Sequence, residues 1–279
     1  MKTSNKLLIA FATALIIVPI LITVYVSKAN YTDRKNYNST AENNIKQLDK
    51  TTEGYFKKSL QSFNKIIIPD GANLNVQLLI INSNKYGVKI PEDFKDVITF
   101  TVNQNKELSI KFDDRLDRSA NRGYGVIIVI YNPEINKIDV SKIGNLTLNA
   151  QLDSLDLKST NTENINFGSV VTYHNIIGAT HNNSYAKNLN LELEQSGFQS
   201  QNNSFNTLTI NATKNSDILL QGDKDQKDKF NIKLLKLNTT GHVEFKIENM
   251  NVDNSIANVS DSTNFLAPTY ILKQMFKHQ

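Results

Sequence analysis

The side chains best suited to chemistry fall into three groups. Asp113-Asp114-Arg115-Leu116-Asp117-Arg118, with Arg122 just beyond, is a dense charged cluster. Paired carboxylates beside a basic group can do acid–base work on a glycosidic bond, and acids crowded into a loop can hold calcium. These charges fall in a loop between two strand-like segments, next to Asn121-Arg122-Gly123. The plainer reading is a solvated loop with local Asp–Arg pairs. Tyr173-His174-Asn175 and His181-Asn182-Asn183 form the second group, flanked by Ser169 and Ser184. A serine nucleophile needs a base and an orienting carboxylate within hydrogen-bond reach. No G-x-S-x-G elbow is present to present one. These histidines read as solvent-facing corner residues, and so does His242, which follows Gly241 in a turn signal. No residue is therefore assigned a catalytic, cofactor-binding or metal-ligating role, and no cofactor is expected.

Composition narrows the field further. The 279 residues include no Cys, no Trp, four His, 11 Gly and 38 Asn. Without cysteine there is no disulfide, no thiolate metal site and no lipid-modified N-terminal cysteine. A zinc site built on His174, His181, His242 and His278 is disfavoured by their scatter. The net charge of +4 is unevenly placed. Residues 1–60 carry nine Lys/Arg and four acids, a balance of 9 − 4 = +5, so the remainder sums to 4 − 5 = −1. A nucleic-acid binder needs a basic stripe on its folded domain, and this body supplies none by composition.

Leu7 to Val26, LLIAFATALIIVPILITVYV, is 20 residues without a charge. At ~1.5 Å per residue a helix here spans about 30 Å, the thickness of a bilayer's hydrocarbon core. It has no polar face, which a soluble core helix of this length would show. Pro19 lies inside it, and a membrane helix tolerates that proline better than a soluble one does. The run exceeds the ~7–15 residues of a cleaved signal's apolar region. We expect a single-pass anchor through Leu7–Val26 with the body outside the cytoplasm, in the periplasm or at the cell surface. Cleavage before Asn30 is the competing reading. Residues 30–62 then read as a polar stalk, with a faint helical period at Ile45, Leu48, Thr52 and Tyr55.

From Phe63 the pattern becomes period 2, apolar alternating with polar, which puts one face of each short segment inward. Ile66/Ile68, Leu74-Val76-Leu78, Tyr86-Val88-Ile90, Ile98-Phe100-Val102, Leu108-Ile110-Phe112 and Val126-Ile128-Ile130 read as strands. In the second half, two-point apolar units recur. Leu146, Ile165, Leu189, Leu208 and Leu235 form one series, at gaps of 19, 24, 19 and 27 residues. Leu155, Ile176, Phe198, Ile218 and Phe245 interleave with them. A repeat near 20 residues with very short strands is a solenoid signature. The expected fold is all-β, a right-handed parallel β-helix after one transmembrane helix, with a β-sandwich as the alternative. Asn accepts the left-handed backbone of tight corners, so Asn145, Asn164, Asn188 and Asn206, each just before an apolar unit, are expected at corners.

The opening Phe63-Asn-Lys-Ile66-Ile-Ile68-Pro-Asp-Gly71 and Leu74-Asn-Val76 resemble the start of the bacterial head GIN domain family, described as an auto-transporter adhesin head. Asn145-Leu-Thr-Leu-Asn149 and Asn206-Thr-Leu-Thr-Ile-Asn211 resemble that family's later rungs. The resemblance covers about residues 63–260. It implies an exported parallel β-helix and transfers no catalytic residue. The chain departs from the family in being poor in Gly. The apolar tail, with Phe265, Leu266, Tyr270, Ile271 and Phe276, is expected to cap the last coil.

The expected organisation is an anchor over 1–29, a stalk over 30–62, the β-helix over 63–260 and a cap or tail over 261–279. The expected function is a non-enzymatic adhesion, scaffold or ligand-binding surface in the bacterial envelope. Its partners would be the lipid bilayer through Leu7–Val26 and a polysaccharide or envelope protein, with no nucleic acid. The alternative is a polysaccharide lyase or hydrolase on the same fold.

Overall fold

The computed structural model describes residues 3–30, 43–116, 125–168, 184–226 and 229–277. The chain divides into two compact units, Met1–Thr40 and Ala41–Gln279. In the first, helix α1 (Thr3–Asn30) holds the apolar run. It is long and apolar enough to cross a membrane, and its described large apolar side chains are exposed. The hydroxyl of Thr23 donates to the Pro19 carbonyl at 2.8 Å, one turn below.

The second unit is mostly β, in two large sheets. The ten-stranded sheet starts with β1 (Tyr55–Ser59), β4 (Gly87–Pro91), β7 (Val126–Asn132), β3 (Val76–Asn82) and β9 (Asn145–Asn149). It continues through β11 (Asn164–Phe167), β13 (Gly197–Gln201), β15 (Ser216–Gln221), β17 (Val243–Glu248) and β19 (Thr263–Leu266). The nine-stranded sheet starts with β18 (Asn251–Asn258), β16 (Asn231–Thr240), β14 (Phe205–Thr213), β12 (Tyr185–Glu194) and β10 (Gln151–Thr160). It ends with β8 (Lys137–Ser141), β2 (Lys65–Ile68), β6 (Glu107–Phe112) and β5 (Ile98–Val102). Pairing is parallel except where β1 and β7 flank β4 and where β5 meets β6. From β8 onward, consecutive strands alternate between the two sheets.

Register places like on like. Val76, Leu146, Ile165, Phe198, Ile218, Phe245 and Phe265 form one inward row of the ten-stranded sheet. Ile66, Ile138, Leu157, Leu191, Ile210, Leu237 and Ala257 form one in the nine-stranded sheet. Nearly all of these side chains are buried in a single cluster. A one-residue slip would turn such a row to solvent, so the alternating pattern itself holds the register.

The structure revises the spacing expected from sequence. Ile165 and Leu189 belong to different sheets: Ile165 pairs with Phe198 and Leu189 with Leu155. Residues between Gly168 and Ser184 lengthen one connection and shift the phase of the repeat, so a count by twenties crosses from one sheet to the other. Ile176, placed in the interleaved series, lies outside the described residues. The corners also differ from expectation. Lys142, Asn161, Gln195, Lys214 and Gly241 each follow directly on a strand of the nine-stranded sheet and have φ of 53°, 53°, 49°, 57° and 84°. The N–H of Lys142 donates to Thr160 O at 3.0 Å, Asn161 to Glu194 O at 3.0 Å, Gln195 to Thr213 O at 3.3 Å and Lys214 to Thr240 O at 3.0 Å. Stacked hydrogen bonds hold these left-handed residues, so the side chain need not be Asn or Gly. Asn145, Asn164, Asn188 and Asn206 are instead strand residues without positive φ. Asn145 turns outward, and its amide donates to Asn75 Oδ1 at 3.0 Å.

Two segments close the body. Residues 43–54 lie against the outer face of β7, whose seven residues are all buried. At the far end, helix α2 (Thr269–Met275) buries Ile271 and Met275. The N–H of Val252 donates to the Tyr270 hydroxyl at 3.3 Å, and Gln274 Nε2 donates to Asp253 O at 3.2 Å. The open edge of β18 is thereby partly satisfied, as a terminal strand requires. Of the residues that the sequence reading gave to the cap, Ile271 is buried and Leu266, Tyr270 and Phe276 are exposed, Phe276 standing edge-on to Phe265 with ring centroids 5.7 Å apart; Met275, not among them, is buried.

Candidate functional site

The outward face of the nine-stranded sheet carries the most organised polar surface. Parallel strands sit ~4.8 Å apart, so residues in register make straight rows across the sheet. One row runs Glu107, Lys65, Lys137, Asp156, Asn190, Thr209 and Lys236. The adjacent row runs Asp139, Lys158, Glu192, Asn211, Asn238 and Asn258. At one end the rows are charged; beyond Asp156 and Glu192 they continue in amides and a hydroxyl, with Lys236 closing the first row. Asn238 donates to Asn211 Oδ1 at 2.8 Å, and Asn188 to Ser154 Oγ at 3.3 Å.

The charged end forms a shallow groove lined by Lys65, Lys137, Asp139, Asp156, Leu157, Lys158, Asn190 and Glu192. It holds three cations and three carboxylates, so it is charge-balanced. The pairs differ in tightness. Lys65 Nζ lies 2.6 Å from Asp139 and 3.3 Å from Glu107. Its bond to Asp139 is the main reason its pKa is raised. Glu107 is lowered, by the Asn103 amide first and Lys65 second. Lys137 stands 3.9 Å from Asp156 and Lys158 stands 3.5 Å from Glu192. Asn190 Nδ2 reaches Asp156 only at 3.5 Å. Those distances exceed an ordinary hydrogen bond of ~2.7–3.2 Å, so donors and acceptors here keep capacity for a ligand. Lys65 and Lys137 also face each other in register, a like-charge juxtaposition that a bound acceptor would relieve.

The residues singled out from sequence do not converge here. Asp113 accepts three bonds from Arg115, from Nε at 2.9 Å, from Nη2 at 3.0 Å and from the backbone N–H at 2.9 Å. Arg115 holds the Asp113 carboxyl down to about 2. Arg115 also reaches Asp96 O at 3.1 Å, which ties the loop to its neighbour. Asp117, Arg118 and Arg122 lie outside the described residues, as do Ser169, Tyr173, His174, Asn175, His181, Asn182, Asn183 and His278. Ser184 is buried and donates to Asn149 Oδ1 at 3.2 Å, a connection within the body. His242 is exposed, 3.9 Å from Glu244. Among the described residues no cluster of His, Cys, Asp and Glu is arranged to hold a metal.

The groove residues were legible in one respect. Lys137-Ile-Asp139 and Asp156-Leu-Lys158 carry opposite charges on either side of an inward residue, which puts both charges on the outer face. That these strands are neighbours was not legible. The most perturbed lysine lies elsewhere. Lys89, on β4, is pushed down to about 8, chiefly by burial and then by the charge of Lys57.

No family model matches the chain, and no curated protein does. Several solved structures are similar to it. One from Parabacteroides distasonis, proposed to bind lipid, has a TM-score of 0.49 at 12% identity, over 74% of this chain and 77% of that one. A proposed adhesin from Bacteroides fragilis has a TM-score of 0.45 at 15% identity, over 76% and 96%. A second from P. distasonis, also a proposed adhesin, has a TM-score of 0.44 at 13% identity, over 74% and 84%. The reading of function therefore rests on this chain's own residues.

Proposed function

We propose that this chain is a membrane-anchored, exported envelope protein whose body is a parallel β-helix of the head GIN kind. In this reading α1 is an uncleaved anchor and the body lies outside the cytoplasm. The outward face of the nine-stranded sheet is the working surface, a non-enzymatic one that holds an extended polysaccharide. The observation that carries this is the charge-balanced groove of Lys65, Lys137, Asp139, Asp156, Lys158 and Glu192, continuous with rows of amides and hydroxyls. Regularly spaced donors and acceptors without net charge suit a hydroxyl-rich polymer better than a strongly acidic one. Steep attraction of a polyanion needs an excess of one sign.

The test is a glycan array and an envelope-protein pull-down, probed with the full chain in detergent. Replacing both Lys137→Gln and Lys158→Gln should reduce retention of a bound glycan at least tenfold and change thermal unfolding little, since exposed ion pairs contribute little to stability. Retention of no glycan, or retention indifferent to that pair, would overturn the assignment of the surface. Cleavage of a glycan, lost in Asp114→Ala, would favour a carbohydrate-active enzyme instead. The anchor is tested separately: a mature protein beginning at Asn30 would mean a cleaved signal.

A further inference from the structure

The outer face of the ten-stranded sheet carries a second device, independent of the groove. Residues 43–54 cover the apolar outer side of β7 and β3. Ile45 and Leu48 are buried there with Ile127, Val129 and Tyr131, and Leu79 and Ile81 pack beside them. Beneath the segment lies Lys89, only 1% exposed. Its three N–H groups are shared among four acceptors within hydrogen-bond distance, Asn44 O at 2.9 Å, Gln47 O at 2.8 Å, Lys50 O at 2.8 Å and Thr52 Oγ1 at 3.0 Å. Every one of these acceptors belongs to the segment and none to the sheet. The Tyr131 hydroxyl donates to Ile45 O. Gly87 makes room, since a Cβ there would stand 2.6 Å from Leu48 Cδ2.

The segment's own backbone does not join the sheet. Gln47 N donates to Asn44 O at 3.2 Å and Lys50 N to Gln47 O at 3.3 Å, both internal turns. Its backbone-to-backbone tie to the rest of the body comes at its end, where Glu92 N donates to Gly54 O at 2.8 Å; midway, exposed side chains hold Asp49, Lys57 Nζ donating to its carbonyl at 3.0 Å and Lys85 pairing with its carboxylate. β7 meanwhile pairs with β3 and β4 on both sides. The segment can therefore leave without breaking a ladder bond. Any tension that enters through residue 43 must pass along it before reaching a strand.

We propose that residues 43–54 form a releasable strap, clamped by Lys89, that peels from the sheet under load before either sheet yields. It would lengthen the link between anchor and body by up to about 40 Å, from 12 residues at ~3.3–3.6 Å each. The proposal rests on the anchored reading of α1 for its physiological load. Its test uses neither membrane nor ligand, so the two can fail separately.

The native chain lacks cysteine, so Asn43→Cys and Lys277→Cys give two unique attachment points. The full chain in detergent is held between them in an optical trap and stretched. A small reversible step of about 40 Å or less should precede the main unfolding. Lys89→Met and, separately, Leu48→Ala should move that step to lower force and leave the main event in place. A trace with no early step would overturn the proposal. So would variants that shift the main unfolding force alone, because the segment would then be an inseparable part of the core.

Discussion

Corner packing makes a sharp prediction at Gly222. An alanine Cβ there would stand 2.0 Å from Asn249 O and 3.0 Å from Asn249 C. Asn249 is itself left-handed, with φ of 53°, and belongs to the next turn of chain in the stack. The obstruction is backbone, so it cannot rotate away. Relief requires the two turns to separate, which also strains the bond from Gly222 N to Glu248 O at 2.9 Å. Overpacking costs about 1–3 kcal/mol, and the weakened hydrogen bond about 1 kcal/mol more. Alanine recovers about 0.4–1 kcal/mol by restricting the unfolded chain. The net expectation for Gly222→Ala is a loss of about 1–3.5 kcal/mol. Gly54→Ala is the control. Its φ is +73°, but nothing lies within 4 Å of the added Cβ, so only the left-handed penalty of about 1–2 kcal/mol applies, less the same recovery. Urea unfolding followed by far-ultraviolet circular dichroism measures both. With a slope of about 2–3 kcal/mol per molar, Gly222→Ala should lower the midpoint by about 1 M and Gly54→Ala by less than half of that. If the two shifts are equal, or Gly222→Ala is neutral, the close stacking of residues 222 and 249 is wrong.

Other predictions follow from the same geometry. Ile271→Asp places a charge against β18 where the side chain is fully buried; it should cost at least about 2–5 kcal/mol and produce aggregates visible by light scattering, whereas Lys273→Asp nearby should not. Lys89 titrates lower in the folded protein, near 8, than its ordinary 10.5. The unfolded chain therefore binds more protons between those values, and stability should rise with pH across that window. Wild-type urea midpoints should accordingly gain on those of Lys89→Met from pH 8 to 9.5, and a widening deficit would contradict the buried-lysine assignment. Asp113 should titrate near 2 by nuclear magnetic resonance, and Arg115→Ala should return it toward the ordinary carboxylate range; an unmoved value would mean the bidentate pair does not form in solution.

Much of the fold was legible because its signal is local. Leu7–Val26 needs no partner to read as membrane-length, since length and the absence of charge decide it. Strands such as Leu108-Ile110 and Leu146-Leu148 announced their inward faces by alternation, because a strand's side chains point to opposite sides in turn, whereas β7 is apolar at 126–131 without a break and is buried on both faces. The apolar pairs from Leu146 to Phe245 likewise mark residues that stand in register on neighbouring strands. The connection of those pairs was decided only in three dimensions. Period and spacing carry no label for which sheet a strand joins, and the added residues between Gly168 and Ser184 moved the count across sheets. Asn could not be assigned to corners by type, because Lys142, Gln195 and Lys214 take the same backbone where neighbouring turns supply the hydrogen bonds. The groove needed Lys137, Asp156 and Glu192 from three separate strands brought into register. Most hidden was Lys89, a charged residue in a strand paired on both sides. Its burial depends on carbonyls some 40 residues earlier in the chain, and nothing in a linear pattern records a contact made across that distance.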